Sequence, residues 1–159
     1  MATNKELKLR VDDLAALRQR LERMGAHAGE TLHVHCLYFL QPPGQVLKLS
    51  TDQHGSTLTH LQAIDGGFVV TSNEQVDDPG PMASRLDAAH GRKSTLLKDE
   101  TLFTLPSHDF QVLLVQIPQV GDFAVVLHPD PQLSMGSDVL GLANPEVITV
   151  PFDEIPARA

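Results

Sequence analysis

The stretch Asn4-Lys5-Glu6-Leu7-Lys8-Leu9-Arg10 places polar or charged residues on alternate positions, with Leu7 and Leu9 between them. Successive side chains of a β-strand point to opposite faces, so this alternation predicts a strand with one polar and one apolar face. The polar face carries Asn4, Glu6, Lys8 and Arg10. Groups of both charge signs lined up against an apolar back favour a strand whose polar face looks into a cavity. We therefore look for function on that face.

Length and composition indicate one globular domain. The chain has 159 residues, enough to bury a core without disulfides. Apolar residues make up 42% and charged residues 20%, as in ordinary soluble proteins. We therefore treat residues 1–159 as a single domain.

The charge and aromatic content argue against several partners. The formal net charge is −8 without a Lys/Arg cluster, and aromatic residues make up only 4%. Neither nucleic acid nor an anionic membrane surface is expected to bind such a chain. The single cysteine, Cys36, excludes an internal disulfide and a multi-cysteine zinc site. No apolar run approaches the roughly 18 residues of a membrane span, so we expect a cytoplasmic protein.

Apolar periodicity and turn residues predict an order of strand, helix, four strands, helix and at least three further strands. Asp12 is predicted to cap the first helix, which Gly25 ends, and Asp78-Pro79 opens a second helix that Gly91 ends. Strands are predicted at Leu32–Leu40, Val46–Ser50, Ser56–Ile64, Phe68–Thr71, Thr95–Leu105, Phe110–Ile117, Asp122–His128 and Glu146–Val150. This order predicts an α+β domain with a mostly antiparallel sheet, large enough to close on itself.

Several short motifs, in order, resemble those of the CYTH superfamily, which includes class IV adenylate cyclases and thiamine triphosphatases. The family's opening E-x-E-x-K corresponds to Asn4-Lys5-Glu6-Leu7-Lys8. The following segments match in the same order: the helix VDDLAALRQRLERMGA, Tyr38-Phe39, Leu47-Lys48-Leu49, the VDDP before the second helix, and Val120–Phe123. The resemblance covers nearly the whole chain. It implies a closed antiparallel β-barrel of about eight strands with flanking helices, a CYTH-like tunnel.

The resemblance also implies which functional residues remain. In the family, acidic residues inside the barrel bind a divalent metal and basic residues bind triphosphate. Of the matching positions, Glu6, Lys8, Lys48 and Lys98 are retained. The family's other positions are filled by Asn4, Gln45, Ser50, Ala63, Phe68, Val69, Glu100, Val115, Val125 and Leu127. Too few carboxylates and arginines remain for a hard cation and a triphosphate, so we expect neither a metal nor another cofactor.

Strand alternation predicts an apolar inner wall with a small polar patch. Leu61, Ala63, Leu113, Val115, Phe123, Val125 and Leu127 should point inward, and Cys36 and Tyr38 with them. The polar patch comprises Glu6, Lys8, Arg10, Lys48, Lys98 and Glu100. Buried charges are costly unless paired, so the glutamates should neutralise some of the lysines. An apolar cavity with a few convergent polar groups is typical of a small-molecule pocket, although small barrels are often filled by their own side chains.

Two other signals receive a structural interpretation. His33 and His35 share one strand face beside Cys36, a pattern that zinc sites use. The resemblance places both histidines outside the barrel, which favours a solvated role. Cys36 would need a neighbouring base or positive charge to act as a nucleophile, and Lys48 is the candidate neighbour.

The leading hypothesis is a repurposed barrel that binds a largely apolar small organic molecule. It would convert this ligand, if at all, without a metal, for example by cyclisation or isomerisation. Glu6 or Glu100 would carry the proton, and Lys8 and Lys48 would hold a carbonyl or carboxylate. Ligand contacts are assigned to Arg10, Cys36, Tyr38, Leu61, Ala63, Lys98, Val115, Phe123, Val125 and Leu127. The alternatives are a residual metal-dependent triphosphate hydrolase or adenylate cyclase, and a non-catalytic protein-interaction module. Whether the protein is an enzyme, and whether it forms a homodimer, stays open.

Overall fold

The computed structural model describes residues 5–156, so Asn4 lies outside the described residues. Nine strands and two helices occupy this range. The elements in chain order are β1 (Lys5–Val11), α1 (Leu14–Arg23), β2 (His27–Phe39), β3 (Gln45–Asp52), β4 (Gly55–Ile64), β5 (Gly67–Val76), α2 (Pro79–His90), β6 (Arg92–Thr104), β7 (Gln111–Ile117), β8 (Gly121–His128) and β9 (Val147–Ile148).

The first eight strands close into an antiparallel barrel. Their order around the barrel is β5-β4-β3-β2-β6-β7-β8-β1, and β5 pairs back onto β1. The predicted CYTH-like tunnel fold is therefore confirmed. A closed barrel leaves its main strands without free edges, and alternate residues of each strand face the interior.

The closure between β1 and β5 is short. Only Lys5 and Glu6 pair with β5, at Val69 and Phe68. Beyond this point β9 continues the ladder, because Lys8 pairs with Ile148 and Leu9 with Val147.

Gly67 is needed where β5 meets β1. A Cβ atom on this glycine would lie 2.3 Å from the Glu6 carbonyl oxygen, closer than carbon and oxygen approach without a shift of the backbone. The seam of the barrel therefore depends on a residue without a side chain.

Helix α1 covers one outer face of the barrel. Leu17 and Leu21 pack with Leu7 and Leu9 of β1 in a cluster that includes the outward residues of β7 and β8. The cap is Asp13, whose Oδ1 accepts a hydrogen bond from the Ala16 amide at 3.0 Å. The prediction of Asp12 is wrong by one position. Helix α2 packs its half-buried Met82, Ala83 and Leu86 against a second outer cluster, from β2, β3 and β5.

The predicted strands are all present, and the largest differences in bounds concern β2 and β5. Strand β2 begins at His27 because its polar first half pairs with the end of β6, across a register shift between Ala28 and Thr31. Strand β5 runs to Val76 along β4. Within residues 5–156, neither helix has the length and apolar character needed to cross a membrane.

Candidate functional site

Three strands bring lysines into the barrel interior: Lys8 on β1, Lys48 on β3 and Lys98 on β6. Lys8 is 2% exposed and Lys98 is 4% exposed, whereas Lys48 is half-buried. Every lysine of the sequence lies in the described range, and Lys5 and Lys93 are the other two. The barrel thus places more than half of the chain's ammonium groups in its lumen.

The two lumen carboxylates, Glu100 and Glu6, differ in their contacts with the lysines. Glu100 Oε1 forms an ion pair with Lys98 Nζ at 2.9 Å, as the sequence predicts for at least one glutamate. Glu6 raises the pKa of Lys8 and Lys48 by its charge, but within residues 5–156 it forms no direct ion pair with either. Lys8 and Lys48 are therefore the under-compensated charges of the site.

Lys8 lies between two aromatic rings. Its Nζ is 4.2 Å from the centroid of Phe68 and 4.2 Å from that of Phe152. Burial lowers the pKa of Lys8 to about 7, and Glu6 opposes this shift. The two ring faces also stabilise the ammonium form. Lys8 is thus held by the faces of two aromatic rings and by the charge of Glu6, with which it makes no direct contact.

Burial lowers the pKa of Lys48, and the nearby charge of Lys98 lowers it further. For Lys98, burial also lowers the pKa, but the neighbouring Tyr38, Cys36 and Glu100, the last of which is in direct contact, raise it above its usual value. Lys98 is therefore a permanent cation. Burial raises the pKa of Tyr38, which keeps its phenol neutral.

The ammonium groups of Lys8 and Lys48 differ from that of Lys98 in their direct contacts. Among the described residues, every fully buried side-chain nitrogen and oxygen has a hydrogen-bond partner, and neither ammonium group forms such a bond to the protein. Cys36 Sγ lies 3.2 Å from Ser50 Oγ in the same interior.

A turn near the end of the described chain closes one end of the lumen. We call this 3₁₀ turn, Phe152–Glu154, the tail turn. The Phe152 ring is 3% exposed and packs 5.2 Å from the ring of Phe123, centroid to centroid, with Ile148 and Ile155 in the same cluster. Asp153 is fixed by Ser94, whose Oγ donates to Oδ2 at 2.5 Å, and by Lys93 at 3.2 Å.

The two ends of the lumen differ in exposure. At the closed end, beside the tail turn, Val115, Ile117, Phe123 and Val125 are buried. At the other end, which we call the open end, inward side chains are half-buried: Leu32, Ser50, Thr57, Leu102, Leu113 and Leu127. Because these residues point inward, their exposed fraction must face the lumen, which is accessible from that end. A further cavity of 230 Å³ lies outside the closed end, lined by Tyr38, Val46, Ala63, Phe68 and the residues before the tail turn.

The sequence-predicted residues largely occupy the predicted faces. Cys36, Tyr38, Leu61, Val115, Phe123 and Val125 belong to the two interior clusters, and Leu113 and Leu127 pack against them. Ala63 lines the cavity outside the closed end. Their roles in catalysis or ligand binding stay predictions.

Arg10 departs from the predicted arrangement. Its Nε donates to Glu146 Oε2 at 2.7 Å, and its guanidinium lies 5.1 Å from the Phe123 ring centroid. It also lines a groove between α1 and the segment before β9. The structure thus joins Arg10 to that segment instead of to the lysine cluster, because Glu146 offers it a carboxylate there.

Sequence reasoning missed the contribution of the tail. Phe152, Asp153, Ser94 and Lys93 carried no periodic signal. The sequence Pro151-Phe152-Asp153-Glu154 shows only that an aromatic residue next to two acids follows a proline. His33 and His35 are exposed on the outside, as predicted, and His33 Nδ1 contacts Asp99 at 2.7 Å.

Few side chains of the lumen could act as ligands of a divalent cation. Within residues 5–156, no three His, Cys, Asp or Glu side chains are grouped to hold a metal. Glu6 and Glu100 are the lumen carboxylates at the matched positions, and Glu100 is bound to Lys98. Magnesium takes about six oxygen ligands, several of which are commonly water or phosphate oxygens, so these two carboxylates would supply only a minority of them.

Neither a protein-family model nor a curated protein matches the chain by sequence. Solved structures do match it. A conserved hypothetical protein from Pyrococcus furiosus has a TM-score of 0.84 at 14% identity, covering 97% of this chain and 100% of that one. A protein from Pyrococcus horikoshii OT3 has a TM-score of 0.81 at 18% identity, covering 96% and 98%.

A third match has a described activity. A candidate adenylyl cyclase from Hippeastrum with a dominant triphosphatase activity has a TM-score of 0.59 at 14% identity, covering 87% of this chain and 88% of that one. At these identities the likeness is one of fold. The chain therefore has the closed-barrel, CYTH-like fold found in candidate adenylate cyclases and in this triphosphatase.

Proposed function

We propose that the lumen binds a small, largely apolar organic molecule that carries one anionic group. The observation that carries the proposal is the excess of ammonium over carboxylate groups inside an apolar wall. Lys98 has Glu100 at 2.9 Å, whereas Lys8 has only the more distant charges of Glu6 and Asp153, and Lys48 those of Glu6 and Glu100. An anion placed between Lys8 and Lys48 would offset the cost of burying them.

The wall at the open end supports the apolar part of this ligand. Leu32, Leu113 and Leu127 are half-buried, so a ligand would remove further apolar surface from water. Glu100, which Lys98 holds in place, and the lysines then orient the ligand's head group, as the few polar groups of a small-molecule pocket usually do.

The same arrangement supports metal-free conversion of the ligand. A flexible molecule folded against the wall would be held near a reactive conformation, as in a cyclisation or isomerisation. Since Glu100 is committed to Lys98, Glu6 is the better proton carrier. Lys8, with a pKa of about 7, would stabilise negative charge on a carbonyl oxygen when protonated.

Binding can be tested with paired probes that differ only in the head group. Calorimetric titration would compare octanoate with octan-1-ol, and 3-phenylpropionate with 3-phenylpropan-1-ol. We expect both acids to bind the wild-type protein and the alcohols to bind at least tenfold more weakly. Lys48→Met should lose about tenfold in affinity for octanoate, as expected for loss of one charged contact.

The control variant is Lys5→Met, which removes an ammonium group from the same strand as Lys8 but from the opposite face. It should leave the affinity unchanged. Equal binding of acid and alcohol, or an affinity of Lys48→Met equal to that of the wild type, would contradict the proposal. So would the absence of binding by every acid tested.

A second candidate is residual metal-dependent triphosphate hydrolysis. It is favoured by the fold shared with the Hippeastrum protein and by the lysine cluster, and opposed by the small number of carboxylates. Tripolyphosphate hydrolysis would be measured with magnesium or manganese. Activity that depends on the metal and disappears in Glu6→Gln would favour this candidate over the first.

A further inference from the structure

The tail turn sits in a pocket with the properties of a ligand site. Lys8 Nζ and Lys98 Nζ lie 4.2 Å and 5.0 Å from the centroid of the Phe152 ring. Phe123 packs on the same ring at 5.2 Å with the ring planes inclined by 59°. Two ammonium groups and one aromatic ring therefore surround a single benzene ring, which is an environment selective for a π system.

A carboxylate site adjoins the ring site. The Asp153 side chain is 2% exposed, and its Oδ2 accepts from Ser94 Oγ at 2.5 Å and pairs with Lys93 Nζ at 3.2 Å. The ring and the carboxylate come from neighbouring residues of the tail turn. Together they present to the barrel the two chemical parts of an aromatic acid.

We propose that the pocket of Lys8, Lys98, Phe123, Ser94 and Lys93 is a site for aromatic carboxylates, and that such a ligand binds by displacing the tail turn. This inference rests on the proposed function and adds a second binding position in the same lumen, at which the carboxylate lies at Ser94 and Lys93 instead of between Lys8 and Lys48. The tail turn is then the internal competitor that fills the site when the ligand is absent.

The attachment of the tail turn suits a segment that can be displaced. Two backbone hydrogen bonds hold the turn itself together, from Glu154 N to Pro151 O at 2.9 Å and from Ile155 N to Phe152 O at 3.3 Å. The 230 Å³ cavity beside Val150, Pro151 and Glu154 gives these residues adjacent space. A tethered competitor acts at high effective concentration, so a free acid should bind only at elevated concentration unless the tail turn is weakened.

The test uses matched acids on the full chain. The first comparison is 3-phenylpropionate with 3-cyclohexylpropionate, which have similar size and the same head group. Because only the phenyl ring offers a π face to Lys8 and Lys98, we expect it to bind about fivefold more tightly. The second comparison, with 3-phenylpropanamide, removes the negative charge and should reduce affinity at least tenfold.

Displacement of the tail turn is read separately from binding. Trimming of the chain by carboxypeptidase, followed by intact mass spectrometry, should accelerate in 3-phenylpropionate and not in 3-cyclohexylpropionate. Phe152→Leu keeps an apolar side chain but removes its ring, so it should raise the affinity for 3-phenylpropionate about fivefold. Phe103→Leu makes the same change at a buried ring of the outer cluster under α1, so it serves as the control and should not raise the affinity.

The outcomes separate this inference from the proposed function. If octanoate and both phenyl and cyclohexyl acids bind equally and trimming is unchanged, the aromatic site is wrong while the binding lumen stands. If 3-phenylpropionate binds neither the wild type nor Phe152→Leu, the inference is overturned whatever octanoate does. Selective binding of the phenyl acid with faster trimming supports it.

Discussion

The closed and open ends of the lumen are built from the same strands but completed by different partners. On β7 and β8, Val115, Ile117 and Phe123 are covered by the tail turn, whereas Leu113 and Leu127 remain half-exposed. The buried lysines lie at the boundary between the two halves. The comparison teaches that the wall alone does not fill this barrel. The chain's own Phe152 completes one end, whereas the half-buried side chains at the other end have no such cover among the described residues.

Both ends depend on the closure of the barrel, and Gly67→Ala should break it. The added Cβ would lie 2.3 Å from the Glu6 carbonyl oxygen, so the backbone of β1 or β5 must shift. We expect a loss of about 4 kcal/mol in the free energy of unfolding, measured by denaturant titration. Gly80→Ala in α2, where a Cβ meets nothing within 4 Å, should be neutral or slightly stabilising. Equal effects would show that the seam tolerates a side chain.

Truncating one side chain at each end measures their difference directly. Phe152→Ala removes a buried ring and should cost about 3 kcal/mol in unfolding free energy. Leu127→Ala removes a half-buried side chain and should cost about 1 kcal/mol. Similar losses at the two positions would contradict the difference in packing.

The lysines between the two ends should make stability depend on pH. Lys8 has a pKa lowered to about 7 by burial, so the unfolded chain binds more protons between pH 7 and its usual pKa. This destabilisation is full below pH 7 and is relieved as the pH rises. Lys8→Met should therefore stabilise the protein by on the order of 2 kcal/mol more at pH 6 than at pH 9.

The groups that face Lys8 are Glu6, Lys48, Lys98 and Asp153. Comparing denaturant curves of wild type and Lys8→Met at each pH removes most of the contribution from other titrating groups. If Lys8→Met changes the unfolding free energy by the same amount at both pH values, the two phenylalanine rings would stabilise the ammonium form of Lys8 as strongly as water does.

The smallest effect should come from the anchor of the tail turn. Ser94→Ala removes the hydrogen bond to the buried Asp153 carboxylate and should cost about 1 kcal/mol. Thr95→Ala, at the neighbouring exposed position of β6, is the control. The variant should also trim faster with carboxypeptidase, and unchanged trimming would mean that Phe152 alone holds the turn.

The strands of the barrel were predictable wherever the alternation of polar and apolar residues along the sequence matches the alternation of the two strand faces. The alternation in Glu6-Leu7-Lys8-Leu9 has its inward and outward faces in the structure, with Leu7 and Leu9 packed under α1. The inward positions of Val115, Phe123 and Val125 follow from the same alternation. Neighbouring Asp12 and Asp13 offered the same cap chemistry, which explains the error of one residue.

The closed end was not predictable from such periods. Phe152 contacts Lys8, Lys98 and Phe123, which lie on three strands, and no local pattern in the last residues indicates these contacts. Arg10 shows the same limitation. The alternation places its side chain on the inward face, where it lies on the Phe123 ring, but no local pattern indicates its ion pair with a carboxylate 136 residues away.

Because β9 pairs with β1, the sheet around β1 can be completed only late in synthesis on the ribosome. β1 emerges first among the strands, yet its ladder is finished only when Val147 and Ile148 have left the exit tunnel. Until then Leu9 and Lys8 lack part of their final neighbours, and chaperones have a window in which to hold the nascent chain. Pairing between residues so far apart in sequence also slows folding, because the two ends of the intervening chain must come together before the contact forms.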